Sequence, residues 1–216
     1  MNNYRKKPRR FVFIDRDGVI NVERGEYTVT RNQWEWAPGA FDGIKKLTDA
    51  GFGIIVITNQ ACIAKGVQTE AGLAELHEFM LDGISKAGGK ILRIYHCPHQ
   101  TSDSCLCRKP EPGMILQAAK DYAIPLSGTF MIGDSLRDME AGSRAGIRTI
   151  LIDSGPVSDS QPMQYEPGEF RADNLSAAAD IVIRETERKN RLTPNSNYIY
   201  LAIILFSLEH ILNISV

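Results

Sequence analysis

Two aspartates separated by one residue, in Phe11-Val-Phe-Ile-Asp15-Arg-Asp17-Gly-Val-Ile-Asn21, follow directly on a short apolar run. In extended chain, side chains at i and i+2 share a face, so both carboxylates address one site. Such a pair can divide labour: one carboxylate attacks phosphorus, and the other protonates the leaving oxygen and then activates water against the acyl phosphate. Two solvated loop acids beside a glycine would be the plainer reading, but the exit of a buried parallel strand is a poor place for them.

A second run, Gly53-Ile-Ile-Val-Ile-Thr58-Asn59-Gln60, ends on a hydroxyl and two amides, groups that can hold phosphoryl oxygens or make an ordinary turn. Met131-Ile-Gly133-Asp134-Ser135-Leu-Arg-Asp138 supplies further carboxylates, with Gly133 allowing close backbone approach. Asp15 and Asp134, with a backbone carbonyl and waters, make an oxygen-only octahedral set that suits Mg²⁺ better than zinc. Asp138 has an explanation of its own as an acid in the first turn of a helix.

Cys97-Pro-His99 and Cys105-Leu-Cys107 bring three thiols and one imidazole into eleven residues. They can close a tetrahedral S₃N zinc site, and a closed site is structural. A disulfide with a spare thiol is the alternative, at odds with the reducing compartment that so few cysteines imply. Arg108 and Lys109 follow at once, so the metal loop would deliver both cations to the site. Lys109 could neutralise phosphate and acyl-phosphate charge, and Arg108 could grip a second anionic or hydroxylated part of the substrate with its planar fork. A solvated basic pair is the competing reading. His96 reads as a strand-end residue and Cys62 as a packed or surface thiol.

These residues need a scaffold. Non-alternating β-branched and aromatic runs at Phe11–Ile14, Gly53–Ile57, Ile91–Tyr95, Phe130–Ile132 and Thr149–Ile152 read as strands covered on both faces. Helical segments fall between them at Gly39–Ala50, Glu70–Ala87, Pro112–Tyr122 and Asp138–Ala145. The order β-α-β-α-β-α-β-α-β predicts an α/β doubly wound parallel sheet that binds its ligand outside the carboxyl ends of the strands. Ser154–Gly168 reads as a loop, and no repeat interrupts the pattern.

A chain of 216 residues with 43% hydrophobic content suits one globular domain and excludes a disordered protein. Its net charge of −1 gives no global field of the kind that drives non-specific binding to nucleic acid or membranes. The basic N-terminus is followed by only four apolar residues, too few for a signal peptide, which predicts a cytoplasmic protein. At the other end, Tyr198–Leu208 is uncharged but too short to span a bilayer cleanly, and it reads as an appendix or packing helix or as a surface-association tail.

Together, Asp15-Arg-Asp17-Gly-Val-Ile-Asn21, Thr58-Asn59-Gln60, Arg108-Lys109-Pro110 and Gly133-Asp134 resemble the haloacid dehalogenase superfamily of Mg²⁺-dependent phosphatases. The cysteine loop narrows the resemblance to the capless branch of heptose-bisphosphate and histidinol-phosphate phosphatases, over residues 9 to 185. It implies a Rossmann-like core over residues 1–185, with 186–216 a tail of uncertain structure. Asp15 would be the nucleophile, Asp17 the general acid/base, and Thr58 and Lys109 would stabilise the transferred phosphoryl group. Asp15, the Asp17 carbonyl and Asp134 would hold Mg²⁺, while Cys97, His99, Cys105 and Cys107 would hold Zn²⁺. Substrate contacts would come from Glu23, Arg24, Gly25, Glu26, Asn59, Gln60, Ala61, Arg108 and Ser135.

The expected partner is a small phosphorylated sugar, with no nucleic acid and a monomeric protein. The stretches after Asp17 and at Trp34-Glu-Trp-Ala-Pro38-Gly39 look more like the heptose-bisphosphate members than the histidinol-phosphate members. That resemblance implies removal of the C7 phosphate of a heptose 1,7-bisphosphate, in nucleotide-activated heptose biosynthesis, with histidinol phosphate as the alternative. The chain departs from the family where Ala61-Cys62-Ile63-Ala64-Lys65-Gly66 replaces a common Ser-Gly-Ile-Ala-Arg-Gly and where Ser135 replaces a common Lys. A receiver module that keeps its phosphoryl group would share Asp, Thr and Lys at strand ends but would not need Asp17 or the cysteine loop. A nucleic-acid 3′-phosphatase would call for interleaved aromatics or a basic stripe that the chain lacks.

Overall fold

The computed structural model describes residues 10–153 and 169–192. Six parallel strands form one sheet: β1 (Arg10–Ile14), β2 (Phe52–Asn59), β3 (Ile91–Cys97), β4 (Phe130–Gly133), β5 (Arg148–Ile152) and β6 (Phe170–Ala172). Their spatial order is β3-β2-β1-β4-β5-β6. The helices are α1 (Ala40–Asp49), α2 (Glu70–Lys86), α3 (Gly113–Tyr122), α4 (Leu136–Arg144) and α5 (Leu175–Leu192).

The predicted class is therefore observed, and each predicted strand and helix is present with ends moved by a few residues. The sixth strand and α5 are additions. β6 has three residues, too short to show a hydrophobic period in sequence. The expectation that all strands are covered on both faces fails at β3, an edge strand whose residues are mostly half-buried. Ser154–Gly168 and the apolar run Tyr198–Leu208 lie outside the described residues.

β1 is the centre of the sheet because Val12, Phe13 and Ile14 have no polar atom to solvate and are fully buried between β2 and β4. Burial of a side chain of this size contributes about 1.5–3 kcal/mol. On one face Phe13, Ile57 and Met131 pack with Met114, Ile115 and Ala118 of α3 and Ala141 of α4. Helix starts follow local chemistry. The Thr69 hydroxyl accepts from Gly72 N at 3.0 Å to open α2, and Gly39, at φ +73°, admits the chain to α1 where a side chain would collide with Asn174.

Residues up to Ile181 make one compact unit, and those from Val182 a second, of which the end of α5 is described. The helix runs past residue 185, where the sequence suggested a boundary. In the first unit the strand order reverses between β1 and β4. An open α/β sheet has its crevice at such a point, outside the carboxyl ends of the strands. Asp15 follows β1 and Asp134 follows β4.

Candidate active site

β1 delivers Asp15 and then turns sharply. Gly18, at φ +74°, donates its N–H to the Asn21 carbonyl at 2.8 Å, and Asn21 N returns to the Arg16 carbonyl at 3.1 Å. Any side chain at Gly18 would overlap the Asp134 carboxylate, so the glycine keeps the β1 turn against the β4 exit.

Asp15 is 8% exposed and Lys109 3%. The Lys109 ammonium has three N–H groups and three partners: Asp15 Oδ2 at 2.7 Å, Asp138 Oδ1 at 2.5 Å and the Ile57 carbonyl at 2.9 Å. Its backbone is held as firmly, because Asn59 accepts from Lys109 N and donates to Lys109 O, both at 3.0 Å. Burial opposes the charge on Lys109, but Asp138 and Asp15 outweigh it and keep the ammonium protonated beyond its ordinary range.

Asp17 lies in a different environment. Oδ1 accepts from Arg16 Nη2 at 2.7 Å, Arg16 Nε at 3.2 Å and Asn21 Nδ2 at 3.0 Å, and Oδ2 accepts from Gln60 Nε2 at 2.9 Å. Burial would raise the carboxyl's pKa; the Arg16 charge and the hydrogen bonds from Arg16, Asn21 and Gln60 overcome it and hold Asp17 ionised below the usual range. Arg16, 1% exposed, is itself enclosed, with its guanidinium 5.9 Å from the Trp34 ring centre and 3.5 Å from His77 Nε2. Burial, then the Arg16 charge, pushes His77 down to about 3, so its ring is neutral.

Asp15, Asp134 and Asp138 place carboxylate oxygens within 4.8 Å of one another. Burial and then Asp138 raise both Asp15, well above its ordinary value, and Asp134, to about 7. Three enclosed acids against one lysine leave negative charge uncompensated, and an all-oxygen set of this kind fits a hard divalent cation.

Cys97, His99, Cys105 and Cys107 likewise converge within 4.8 Å. Cys97 Sγ is 3.6 Å from Cys105 Sγ and 3.2 Å from Cys107 Sγ, and His99 Nδ1 is 3.3 Å from Cys107 Sγ. All cysteines are free, with sulfur atoms farther apart than a disulfide bond. The donor set suits zinc. Cys97 belongs to β3, whose end is tied to β2 by a 2.7 Å hydrogen bond from Gln60 N to the Cys97 carbonyl.

The structure thus gathers Asp15, Asp17, Thr58, Gln60, Lys109 and Asp134 at the strand ends. Other residues singled out in the sequence stand differently. Glu23, Arg24, Gly25 and Glu26 form an exposed loop, with Arg24 paired to Glu35. The Arg108 guanidinium donates to the His99 carbonyl at 3.1 Å, which anchors it to the cysteine loop. The Asn59 amide engages the Lys109 backbone, and Ala61 is buried. The Ser135 hydroxyl donates to Asp138 Oδ2 at 2.6 Å.

Asp138, which sequence reasoning explained as a helix-turn acid, does two things. Oδ2 also accepts from Ser135 N at 3.2 Å at the start of α4, while Oδ1 pairs with Lys109. Gly133 carried a usable indication, because a side chain there would overlap Asp138. Arg16 and Asn21 were missed, and their placement between and after the two acids was the available indication.

Among known proteins, a family described as "HAD-hyrolase-like" matches residues 106–178. The chain is 34% identical over 176 residues to the D-glycero-beta-D-manno-heptose-1,7-bisphosphate 7-phosphatase of Pseudomonas aeruginosa, covering 82% of this chain and 99% of that protein. It is 41% identical over 159 residues to the D-glycero-alpha-D-manno-heptose-1,7-bisphosphate 7-phosphatase of Photorhabdus laumondii, covering 69% and 86%. The crystal structure of D,D-heptose 1,7-bisphosphate phosphatase from B. bronchiseptica, complexed with magnesium and phosphate, superposes with a TM-score of 0.73 at 31% identity, over 82% of this chain and 99% of that one.

Proposed function

The chain belongs to the haloacid dehalogenase-like phosphatases, in the group of the heptose 1,7-bisphosphate 7-phosphatases, and from that premise we propose how its residues hydrolyse the phosphate at C7 of D-glycero-D-manno-heptose 1,7-bisphosphate. One observation carries the chemistry: Asp15 and Asp17 occupy one strand exit, yet one faces a lysine and two further acids while the other faces an arginine and two amides.

Asp15 is the nucleophile. One carboxylate oxygen forms a bond to phosphorus as the bond from phosphorus to the C7 oxygen breaks, and the leaving oxygen keeps that electron pair and takes a proton from Asp17. Because Asp17 is ionised in the free protein, this proton is taken up as the substrate's negative charge arrives and raises its pKa. In the second step water attacks phosphorus, Asp17 accepts the water's proton, and the bond from Asp15 to phosphorus breaks to restore the carboxylate. Lys109 keeps Asp15 in place and offsets charge on the phosphoryl group, and Thr58 donates to a phosphoryl oxygen.

Asp15, Asp134 and the Asp17 carbonyl would hold Mg²⁺, with Asp138 beside them, and the bound ion would supply a Lewis acid for charge on the phosphoryl oxygens. Zn²⁺ held by Cys97, His99, Cys105 and Cys107 would pin the loop that carries Arg108 and Lys109. The substrate's outer part meets Arg108 and the exposed loop of Glu23, Arg24, Gly25 and Glu26. Residues 1–185 make the phosphatase domain, with 186–216 as an appended tail, in a monomer that works in the cytoplasm, where thiols stay reduced. No helix among the described residues is long and apolar enough to cross a membrane.

Histidinol phosphate is the alternative substrate. It carries cationic groups that Arg108 repels, whereas a second phosphate or a polyhydroxylated ring suits the guanidinium fork. Comparison of kcat/KM for the two compounds under the same Mg²⁺ conditions, with Arg108→Ala alongside, tests the assignment. A preference for the bisphosphate that shrinks in the variant is expected. A preference for histidinol phosphate would overturn the substrate and leave the phosphatase chemistry standing.

A further inference from the structure

Gln60 is 2% exposed, and every polar group of its side chain is engaged. Nε2 uses one N–H on Asp17 Oδ2 at 2.9 Å and the other on Thr58 Oγ1 at 2.8 Å. Oε1 lies 3.5 Å from the thiol of Cys62, which is 1% exposed and donates to it. The backbone is fixed too, since Gln60 N donates to the Cys97 carbonyl and Gln60 O accepts from Ile63 N at 3.2 Å. Two independent contacts therefore decide which way the carboxamide faces. A carboxylate requires a donor and a thiol hydrogen requires an acceptor, and a flipped amide would satisfy neither.

This arrangement has consequences for both groups that Gln60 touches. On Asp17, Oδ1 already accepts three hydrogen bonds, whereas Oδ2 accepts only that from Gln60 among the described residues. Oδ2 is thus the oxygen with a lone pair to spare for a proton, and the Gln60 N–H fixes where that lone pair points. On Thr58, a hydroxyl that accepts from Gln60 is left with its own hydrogen to give, directed away from Gln60. An N–H of Gln60 at each partner sets one as proton carrier and the other as donor.

We propose that Gln60 is a positioning residue for phosphoryl transfer, with its carboxamide presenting Asp17 Oδ2 to the leaving oxygen and the Thr58 hydroxyl hydrogen to the phosphoryl group, and with Cys62 keeping the carboxamide in that orientation. The assignment rests on Asp17 as acid/base and Thr58 as phosphoryl donor. It gives Gln60 work inside the catalytic cluster and not on the sugar.

The experiment compares wild type, Gln60→Met and Cys62→Ala on two substrates, heptose 1,7-bisphosphate and p-nitrophenyl phosphate. Methionine preserves length and removes both donors. The sugar alkoxide needs a proton to leave, whereas p-nitrophenolate barely does, so in the first step, which kcat/KM reads, misplacing Asp17 affects the sugar more and misdirecting Thr58 affects both. Hydrolysis of the aspartyl phosphate, where Asp17 takes the water's proton, is common to both substrates. Full loss of acid–base assistance is about 10²–10⁴-fold, and loss of positioning alone is expected near the lower end. Gln60→Met should then lower kcat/KM about 10²-fold on the bisphosphate and roughly 3–10-fold on p-nitrophenyl phosphate. Cys62→Ala should give a smaller loss with the same ordering. A rise in KM for the bisphosphate at unchanged kcat, with p-nitrophenyl phosphate unaffected, would make Gln60 a sugar contact and overturn the proposal; so would unaltered kinetics on both substrates. If Gln60→Met fails to fold, Cys62→Ala decides by the same criteria. Wild-type turnover of p-nitrophenyl phosphate without turnover of the bisphosphate would refute the substrate assignment alone and leave Gln60 to be judged on the aryl ester.

Discussion

The side-chain amide of Asn59 and the backbone of Lys109 exchange two hydrogen bonds of 3.0 Å, joining the end of β2 to the loop that follows the cysteine cluster. The pair is the same length in both directions and holds the Lys109 backbone where its side chain reaches Asp15. Asn59→Ala removes both bonds and leaves backbone groups of a buried residue unpaired, a loss of about 1–3 kcal/mol in stability. A tenfold fall in kcat, about 1.4 kcal/mol of transition-state stabilisation, should accompany it. Denaturant melts and steady-state kinetics read both; unchanged kcat with a raised KM would instead put Asn59 on the substrate.

Lys109 is the one cation seated among Asp15 and Asp138 in the described cluster, and all three side chains are enclosed. Lys109→Ala should abolish turnover and cost about 3–5 kcal/mol, the penalty for leaving a buried partner charge uncompensated. Urea unfolding checks the second part. A loss below about 1 kcal/mol, the range of surface pairs, would mean the cluster is far wetter than its burial indicates.

Burial and Asp138 push Asp134 up to about 7 in the metal-free protein, so below that pH the carboxyl is neutral and a cation must displace its proton. Mg²⁺ affinity should therefore fall as pH drops below about 7, by at least about tenfold per pH unit, and level off above it. Calorimetric titration with MgCl₂ across this range provides the check. Affinity that is flat below neutrality would show either that Asp134 is already ionised there or that it has no part in cation binding.

Zinc should be present in metal-replete protein, and Cys105→Ser should reduce it. All four ligands come from Cys97–Cys107, so the sheet should persist while kcat falls, because Lys109 stands two residues beyond Cys107. Elemental analysis and circular dichroism measure the two effects. Wild-type protein free of zinc would refute the metal assignment.

The parallel sheet was legible because Phe11–Ile14, Gly53–Ile57 and Phe130–Ile132 are runs without polar alternation, as strands buried on both faces require, whereas edge strand β3 breaks that pattern at Arg93. The cysteine loop was legible because its four donors are local in sequence. What the sequence withheld depends on pairings across long separations. Asn59 with Lys109 spans 50 positions and Gln60 with Asp17 spans 43. Nothing in Thr58-Asn59-Gln60 says whether its amides face a ligand or their neighbours. Asp138 shows the opposite difficulty: its local explanation, a helix-start acid, is correct and still conceals its ion pair with Lys109.

Phosphorus NMR of wild-type protein turning over D-glycero-D-manno-heptose 1,7-bisphosphate in the presence of Mg²⁺ distinguishes the two phosphates of one substrate directly. The C7 resonance should disappear as inorganic phosphate grows, with the C1 resonance retained and the whole reaction absent in Asp15→Asn. Loss of the C1 phosphate, no phosphate release at all, or wild-type release by a folded Asp15→Asn protein would contradict nucleophilic catalysis by Asp15 at C7.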